Sequence, residues 1–499
     1  MILWIARREL LEHVRSTRFF VLSLLCVLLL PATTYVNVSR YRSRELFAQQ
    51  LDAERIIASD RAGSQNDQGA SRFGWRSGVV TPDPALRAIR HPLAEEALAL
   101  GVAGSMPAYW QFSTEGIADG PPADIPNAQS ASVGAMDTTS IVQTILGLLA
   151  VLIAFDSVSG ELESGRMRTI LAHPISRAEV LAGKFVGAYA SLVVPLLGGA
   201  AASHVVLWIR GLPVFETHFV VATIGVIMAS LLYLATMLAL GIAASALTRE
   251  SRTSLVALLV IWVCSTLAIP SGASLAAAAI SPVQPAELTR ASIVGSMRQL
   301  EKERAERLAE VWESVTGSRD VPVDGILAPA TREQYRIAGE RIEQSMATRK
   351  RQLIESLNGA RIRQEERQAW VAAAVGSVSP AVTFLRAATA LAGTGTKMHR
   401  QWRQEVTGAQ QALEAATFDR RFGVELFAAN LNYERITYWP DQSDPSQRVP
   451  AYDDLPKFAH RTPALLEGVI GAAPDLCLLA VECIGLIVVA TYAYLVVEI

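Results

Sequence analysis

Charged residues of both signs cluster in one stretch of this sequence, residues 155–184, which reads FDSVSGELESGRMRTILAHPISRAEVLAGK. Three carboxylates are followed by four cations: Asp156, Glu161, Glu163, Arg166, Arg168, Arg177 and Lys184. Such a cluster can bind a complementary charged surface on another protein, where like charges placed together are costly. The alternative is a solvated loop whose charges only keep it out of lipid, and composition alone favours this alternative.

The sequence contains none of the common patterns for catalysis or nucleotide binding. No G-x-x-x-x-G-K-[ST] phosphate loop occurs, and residues 393–397 (GTGTK) lack its spacing. H-E-x-x-H and G-x-S-x-G are also absent. The four cysteines lie in apolar runs, where buried or lipid-facing thiols are expected rather than metal ligands or disulfides: Cys26, Cys264, Cys477 and Cys483. We therefore predict that the chain is not itself an enzyme and holds no metal or cofactor.

Composition indicates a membrane protein. Apolar residues make up 51% of the 499 residues and charged residues 18%, which is too apolar for an ordinary soluble protein and too charged for one lying wholly in lipid. The net charge of −2 gives no basic field, so no nucleic-acid partner is expected. Six apolar runs reach the length of roughly 18–20 residues that crosses a bilayer: 19–36, 138–155, 185–209, 219–247, 253–280 and 474–497.

Lysine and arginine in the short loops predict the orientation of these spans. Residues 1–18, a predicted amphipathic helix on the membrane surface beside anionic lipid, carry four. Residues 156–184 carry four and 248–252 carry two, whereas 210–218 carry only Arg210. The first three segments and the C-terminus are therefore expected in the cytoplasm. A cleaved signal peptide is the alternative for the first run, but no convincing small-residue cleavage site follows it.

Two long polar regions, 37–137 and 281–470, are then extracytoplasmic. Prolines break up the first, so we predict a small irregular domain. Its aromatic residues form a small core, sit at the membrane interface or line a ligand groove: Trp75, Tyr109, Trp110 and Phe112.

The second polar region is predicted to be helical. Apolar residues recur at spacings of three and four over 287–315 and 332–357, which indicates a pair of long helices. Residues 379–395 are too interrupted by polar and small residues to span and are expected on the outer leaflet. The predicted fold class is an all-α polytopic membrane protein with six transmembrane helices, both termini cytoplasmic, and two extracytoplasmic domains, one small and irregular and one built of long helices.

Within the charged stretch, proline and serine indicate where helices end and begin. Pro174 cannot continue a helix, so a first helix should end just before it. Ser176 lies three residues ahead of Glu179, which is the spacing of a capping box at the start of the next helix.

Three ionisable residues fall within or at the ends of the apolar runs. A charged side chain inside a membrane is costly, so such a residue is by default a candidate functional residue. His204 is near the outer end of the third run, and Asp475 follows Pro474 at a predicted helix start. Only Glu482 is well inside. Glu482 could line a substrate path or bind a partner span, or it could be a protonated structural residue.

The charged stretch contains Phe155-Asp156, then Ser159-Gly-Glu-Leu-Glu-Ser-Gly165, then Arg168, Leu171, Pro174-Ile-Ser-Arg177 and Gly183-Lys184. This order resembles the coupling segment of ABC-2-type exporter permeases. In that family the segment between spans two and three is a cytoplasmic knob that docks into a separate ATPase subunit. The large region between spans five and six is similar to that of one subgroup of these permeases.

The resemblance implies the transmembrane subunit of an exporter in a bacterial inner membrane, surrounded by lipid. ATP and Mg²⁺ would be bound by a partner ABC ATPase, and a second permease copy or paralogue would complete a dimer. The implied ATPase-coupling residues are Asp156, Glu161, Glu163, Gly165, Arg166, Arg168 and Pro174, and the candidates for a translocation path are Glu482 and His204. The alternative is a non-transporting complex that passes ATPase motion to an extracytoplasmic partner. The sequence identifies neither the substrate nor the choice between homodimer and heterodimer.

Overall fold

The computed structural model describes residues 2–66, 86–113, 116–121, 137–167, 175–318, 329–428, 458, 460 and 465–496. Within this part of the chain, six helices are long and apolar enough to cross a membrane: Thr17–Ala58, Thr138–Glu163, Arg177–Ile209, Thr217–Leu247, Ser251–Ile280 and Leu466–Val496. We refer to them as spans 1 to 6. They coincide with the six apolar runs of the sequence, which confirms the predicted multi-pass helical membrane protein.

Several spans extend past the apolar runs. The helix of span 1 continues to Asn66, and span 6 belongs to the helix Leu465–Val496. Span 3 begins directly after the predicted capping box, which is confirmed: Ser176 Oγ accepts from the N–H of Glu179 at 3.2 Å, and the Glu179 carboxylate accepts from the N–H of Ser176 at 3.1 Å. An apolar run marks only the part of a helix that lipid can cover. The backbone hydrogen bonds of the helix continue into polar residues, so the helix is longer than the run.

Spans 2 and 5 each contain one π-helical turn, Val142–Leu146 and Cys264–Ala268. At the first turn, the hydroxyl of Tyr233 in span 4 donates to the carbonyl of Gln143 at 2.7 Å. A Cβ at position 147 would lie 2.5 Å from that hydroxyl oxygen, so only glycine fits at Gly147 without a shift. Turns of this kind interrupt the regular helix ladder and are frequent at functional sites.

Five further helices complete the helical part: α1 (Ile2–Val14), α2 (Ala286–Thr316), α3 (Pro329–Gly376), α4 (Pro380–Leu391) and α5 (Thr396–Ala428). The predicted pair of long helices is present as α2 and α3. The rings of Trp312 and Tyr335 meet edge-on with centroids 5.3 Å apart, and Arg349 lies 2.6 Å from Glu303.

Helix α4 lies inside the bundle, so the expectation that residues 379–395 rest on the outer leaflet is wrong. Phe384 is fully buried, and its ring stacks on Tyr233 of span 4 at 4.8 Å. At the start of α4, Ser379 Oγ donates to the carbonyl of Ser265 in the π turn of span 5 at 2.6 Å. The helix is short but alanine-rich on its buried side, which lets it pack between spans 4 and 6. Residues 377–379 join α3 to α4.

Residues 86–121 contain a sheet that the prediction of an irregular, all-α protein did not include. Its antiparallel strands are β1 (Arg87–Ile89), β2 (Tyr109–Ser113) and β3 (Gly116–Asp119), in the order β1-β2-β3. Strands of three to five residues are too short to give a clear alternating pattern in the sequence.

The sheet shares one core with α5. Trp110 and Phe112 are buried together with Trp402, and the two indoles stack at 5.6 Å. This places two of the three aromatic residues of β2 in a core, one of the three predicted roles. Tyr109, the third, is partly buried against a second small cluster, and Trp75 lies outside the described residues. The two polar regions therefore form one unit instead of two separate domains. We call the sheet with α2, α3 and α5 the polar domain.

Candidate functional site

Residues 155–167 lie at the end of the bundle that holds α1, opposite the polar domain, and they are attached there to span 4. Ser245 Oγ accepts from the backbone N–H groups of Val158 and Ser159 at 3.0 and 3.1 Å. All three residues are buried. These bonds satisfy amides at the start of the short helix Ser159–Glu163, where no intrahelical partner exists.

Asp156 joins the same segment to span 1. Its two carboxylate oxygens accept from the guanidinium of Arg18 at 3.1 and 3.0 Å. That guanidinium also lies over the ring of Phe155, 4.9 Å from the centroid. The two side chains are 42% and 36% exposed, so the pair contributes little stability and mainly fixes the direction of the segment.

A buried ion-pair network holds Glu161. Lys184 Nζ of span 3 lies 2.7 Å from Glu161 and 3.1 Å from Glu9 of α1, and its side chain is only 6% exposed. Helix α1 can approach span 3 this closely because Gly183 has no side chain: a Cβ there would lie 2.7 Å from Ile5. Lys184, predicted to be a loop cation, therefore cross-links three elements.

Glu163 caps span 5 and marks the start of an exposed tip. Its carboxylate accepts from the backbone N–H of Ser251 at 3.2 Å. Residues 163–166, which we call the tip, are exposed. Gly165 has a φ of +70°, a left-handed conformation that commonly follows a helix C-terminus.

The glycine interrupts the predicted first helix. The helix ends at Glu163, residues 166–167 are helical again, and the predicted helix end just before Pro174 lies outside the described residues. Arg166 is exposed and donates from Nε to Ser164 Oγ at 3.0 Å. Arg168 and Pro174, the remaining predicted coupling residues, lie outside the described residues.

Span 6 closes the site from the other side. The hydroxyl of Tyr494 donates to the sulfur of buried Met167 at 3.0 Å, and Arg177 donates to the carbonyl of Leu495 at 2.9 Å. Residues 155–167 therefore touch spans 1, 3, 4, 5 and 6 in addition to belonging to span 2.

The two predicted path residues do not form one site. His204 lines a cavity of about 60 Å³ bounded by spans 1 to 4, and its ring faces Phe219 at 6.3 Å. Glu482 is on span 6, away from that cavity. Its Oε2 atom is buried and has no hydrogen-bond partner within the described part of the chain.

Asp475 corrects one prediction, because Pro474 lies within the span 6 helix and not at its start. Its carboxylate instead pairs with Arg386 of α4 at 3.0 Å. Sequence reasoning missed Arg386, Arg18 and the Glu9–Lys184 pair. The sequence does contain one signal for Arg386, because it is the single cation in an otherwise apolar piece. A cation in such surroundings usually pairs with a carboxylate.

Six helices of spanning length within the described residues, with a short polar segment between spans 2 and 3, indicate a multi-pass membrane protein. A family model described as ABC-2 family transporter protein matches residues 3–316, and the chain belongs to this family. The match covers spans 1 to 5 and the charged stretch, and it confirms the resemblance inferred from residues 155–184.

Two curated relatives have matching segments. The probable ABC transporter permease protein NosY of Stutzerimonas stutzeri is 34% identical over 94 residues, which is 16% of this chain and 34% of that protein. The protein of the same name from Pseudomonas aeruginosa is 31% identical over 126 residues, 25% of this chain and 45% of that protein. The chain thus matches less than half the length of these relatives. The family match identifies the chain as a membrane protein of the ABC-2 transporter family.

Proposed function

We propose that the chain is the membrane subunit of an ABC exporter and that a separate ATPase subunit binds it at the tip, residues 163–166. The main support is the attachment of residues 155–167 to spans 1, 3, 4, 5 and 6, while the tip itself is exposed. Because packed helices move as units, a displacement of the tip would act on all of these spans together.

In this proposal the tip is cytoplasmic and the polar domain is outside a bacterial inner membrane. The α1 end carries exposed cations: Arg7 and Arg8 in α1, Arg249 between spans 4 and 5, and Arg252 in the first turn of span 5. An excess of lysine and arginine in short loops is typical of the cytoplasmic side.

The ATPase would supply ATP binding and Mg²⁺, since this sequence has no phosphate loop. A second permease copy or paralogue would provide the second ATPase-binding tip. Spans 1 and 5 leave room for that copy and for lipid, because only 22% and 17% of their apolar windows are buried.

A second candidate function is to pass ATPase motion to a partner of the polar domain without transport. The position of α4 favours it, because α4 contacts the π turns of both spans that connect to the tip. Ser379 bonds to Ser265 in span 5, and Phe384 stacks on Tyr233, which bonds to span 2. Span 2 runs directly into the tip, and span 5 is capped by it.

The charge reversal Arg166→Glu tests the docking. Glu161 is unsuitable because its reversal would place two cations side by side in a buried network. Like charges at an interface cost several kcal/mol, whereas an exposed surface change costs less than about 0.5 kcal/mol. We expect Arg166→Glu to insert and melt like the parent chain but to lose co-purification of the ATPase, with Arg363→Glu in α3 as the matched control. Normal ATPase binding by Arg166→Glu would refute docking at the tip.

The same reconstituted complex distinguishes the two functions. Spin labels at exposed Ser105 and Ser345 report the distance between the sheet and α3. A distance that changes with ATP while no substrate is moved supports the second function, and transport with an unchanged distance supports the first.

A further inference from the structure

A cavity of about 610 Å³ lies where the bundle meets the polar domain. Helix α4, the first turns of span 6, the start of α5 and the residues around Asp137 line it. Its volume is within the range of small-ligand sites, about 300–1,000 Å³. The cavity is at the opposite end of the bundle from the tip and shares no residue with it.

The carboxylates of this cavity are already satisfied. Asp475 pairs with Arg386 at 3.0 Å, and Asp137 accepts from the N–H groups of Ser140 and Leu100 at 2.8 and 3.0 Å. Glu467, the third carboxylate, also has a partner. The charge that a ligand would meet in this cavity therefore comes from the lining cations that these carboxylates do not bind.

Two exposed cations of the lining, Lys397 and Arg400, make no hydrogen bond or ion pair to any residue that the structure describes. They are three residues apart in α5, so they project from the same helix face. Gly471 of span 6 lies beside the first: a Cβ there would be in ordinary van der Waals contact with Lys397 Nζ, at 3.6 Å. Lys397 does not stabilise its own helix, because positive charge is disfavoured in a first turn.

An apolar surface adjoins these cations. Leu466 and Ile470 are 66% and 64% exposed on the same turns of span 6 whose glycines, Gly468 and Gly471, line the cavity. A ligand with its anionic group at Lys397 and Arg400 could therefore lay a hydrocarbon chain along span 6. A wholly soluble anion would leave this surface unused.

We propose that the cavity binds the anionic headgroup, such as a phosphate, of a lipid-like amphiphile whose hydrocarbon chain lies against span 6. Charge-assisted hydrogen bonds from both cations would hold the headgroup, and the Arg386–Asp475 pair would close the cavity floor without competing for it. The inference goes beyond the proposed function, since binding here requires neither ATP nor a partner subunit.

Native mass spectrometry of the purified full chain tests this with three probes: dioleoyl phosphatidic acid, dioleoyl phosphatidylcholine and inorganic phosphate. We expect phosphatidic acid to bind about tenfold more tightly than phosphatidylcholine, the effect of one charge-assisted contact. The double variant Lys397→Gln with Arg400→Gln should lose this preference. The matched variant Arg363→Gln with Arg367→Gln, which neutralises two exposed cations of α3 outside the cavity, should keep it.

Equal binding of the two lipids by the parent chain, or an unchanged preference in the double variant with a parental melting temperature, would overturn the proposal. Displacement of phosphatidic acid by an equal concentration of inorganic phosphate would also overturn it, in favour of a soluble anion. All substituted side chains are exposed, so the variants are expected to fold.

Discussion

The two ends of the bundle hold their charges in different surroundings. At the α1 end, ion pairs join separate elements around one short segment, residues 155–167. At the polar-domain end, Glu96 is enclosed between Arg44 and Arg90, whereas Lys397 and Arg400 of the neighbouring cavity have no hydrogen-bond or ion-pair partner among the described residues. Paired charges at the first end hold a segment in place, and the second end combines a buried pair with cations that no described residue binds.

The difference in burial predicts different costs for breaking each network. A fully enclosed pair leaves an uncompensated charge when one partner is removed, while a partly exposed pair lets water replace it. Three experiments test whether the two ends differ in this way.

The largest effect is expected at Glu96. Its side chain is completely buried, 2.6 Å from Arg90 and in contact with Arg44, so Glu96→Ala removes the carboxylate that two buried guanidinium groups share. We expect a loss of about 3–5 kcal/mol of stability, measured as thermal unfolding of the purified chain.

Its control is a partly exposed ion pair between the helix of span 1 and strand β1. Glu54 is 62% exposed and pairs with Arg87 at 2.8 Å, so Glu54→Ala should cost less than about 1 kcal/mol. Similar losses in the two variants would mean that burial does not distinguish these ion pairs.

An intermediate effect is expected at Lys184. The substitution Lys184→Met leaves the carboxylates of Glu9 and Glu161 facing each other without their shared cation, at an expected cost of about 1–3 kcal/mol. Helix α1 should then detach from span 3, which faster tryptic cleavage at Arg7 and Arg8 would report. Arg18→Met breaks the exposed pair with Asp156 and should cost under about 1 kcal/mol. Unchanged cleavage in Lys184→Met would show that α1 is held by packing alone.

The sequence was sufficient for the parts of the fold that depend on local pattern. Apolar runs gave all six spans, spacings of three and four gave α2 and α3, and the capping box gave the start of span 3. These features depend on residues close in the chain. The same is true of the charged stretch, whose order led to the correct family.

Features that depend on distant residues were not predictable. Helix α4 is buried because Tyr233 and Ser265, more than a hundred residues earlier, provide its contacts. The sheet and α5 share a core although nearly three hundred residues separate Trp110 from Trp402 in the sequence. The local pattern of a strand or a helix therefore could not indicate that they form one domain. Gly165 is the exception, since a glycine after a short helix is a recognised local signal for a helix end.

The smallest loss of stability is expected when one helix cap is removed at each end of the bundle. Asp137 caps span 2 at the polar-domain end, is buried, and accepts from the N–H groups of Ser140 and Leu100, so Asp137→Ala should cost about 1–2 kcal/mol. Glu163 caps span 5 at the α1 end with one bond and an exposed carboxylate, so Glu163→Ala should cost only about 0.3–1 kcal/mol.

Thermal unfolding of the two alanine variants in the same detergent measures this difference. If Glu163→Ala is destabilised as much as Asp137→Ala, the tip carboxylate is a structural cap and has little freedom to meet an ATPase. If the loss is small, Glu163 can exchange its bond to Ser251 for one across an interface at low cost. Glu163 could then change its partner without breaking the ion pairs that join Lys184 to Glu9 and Glu161.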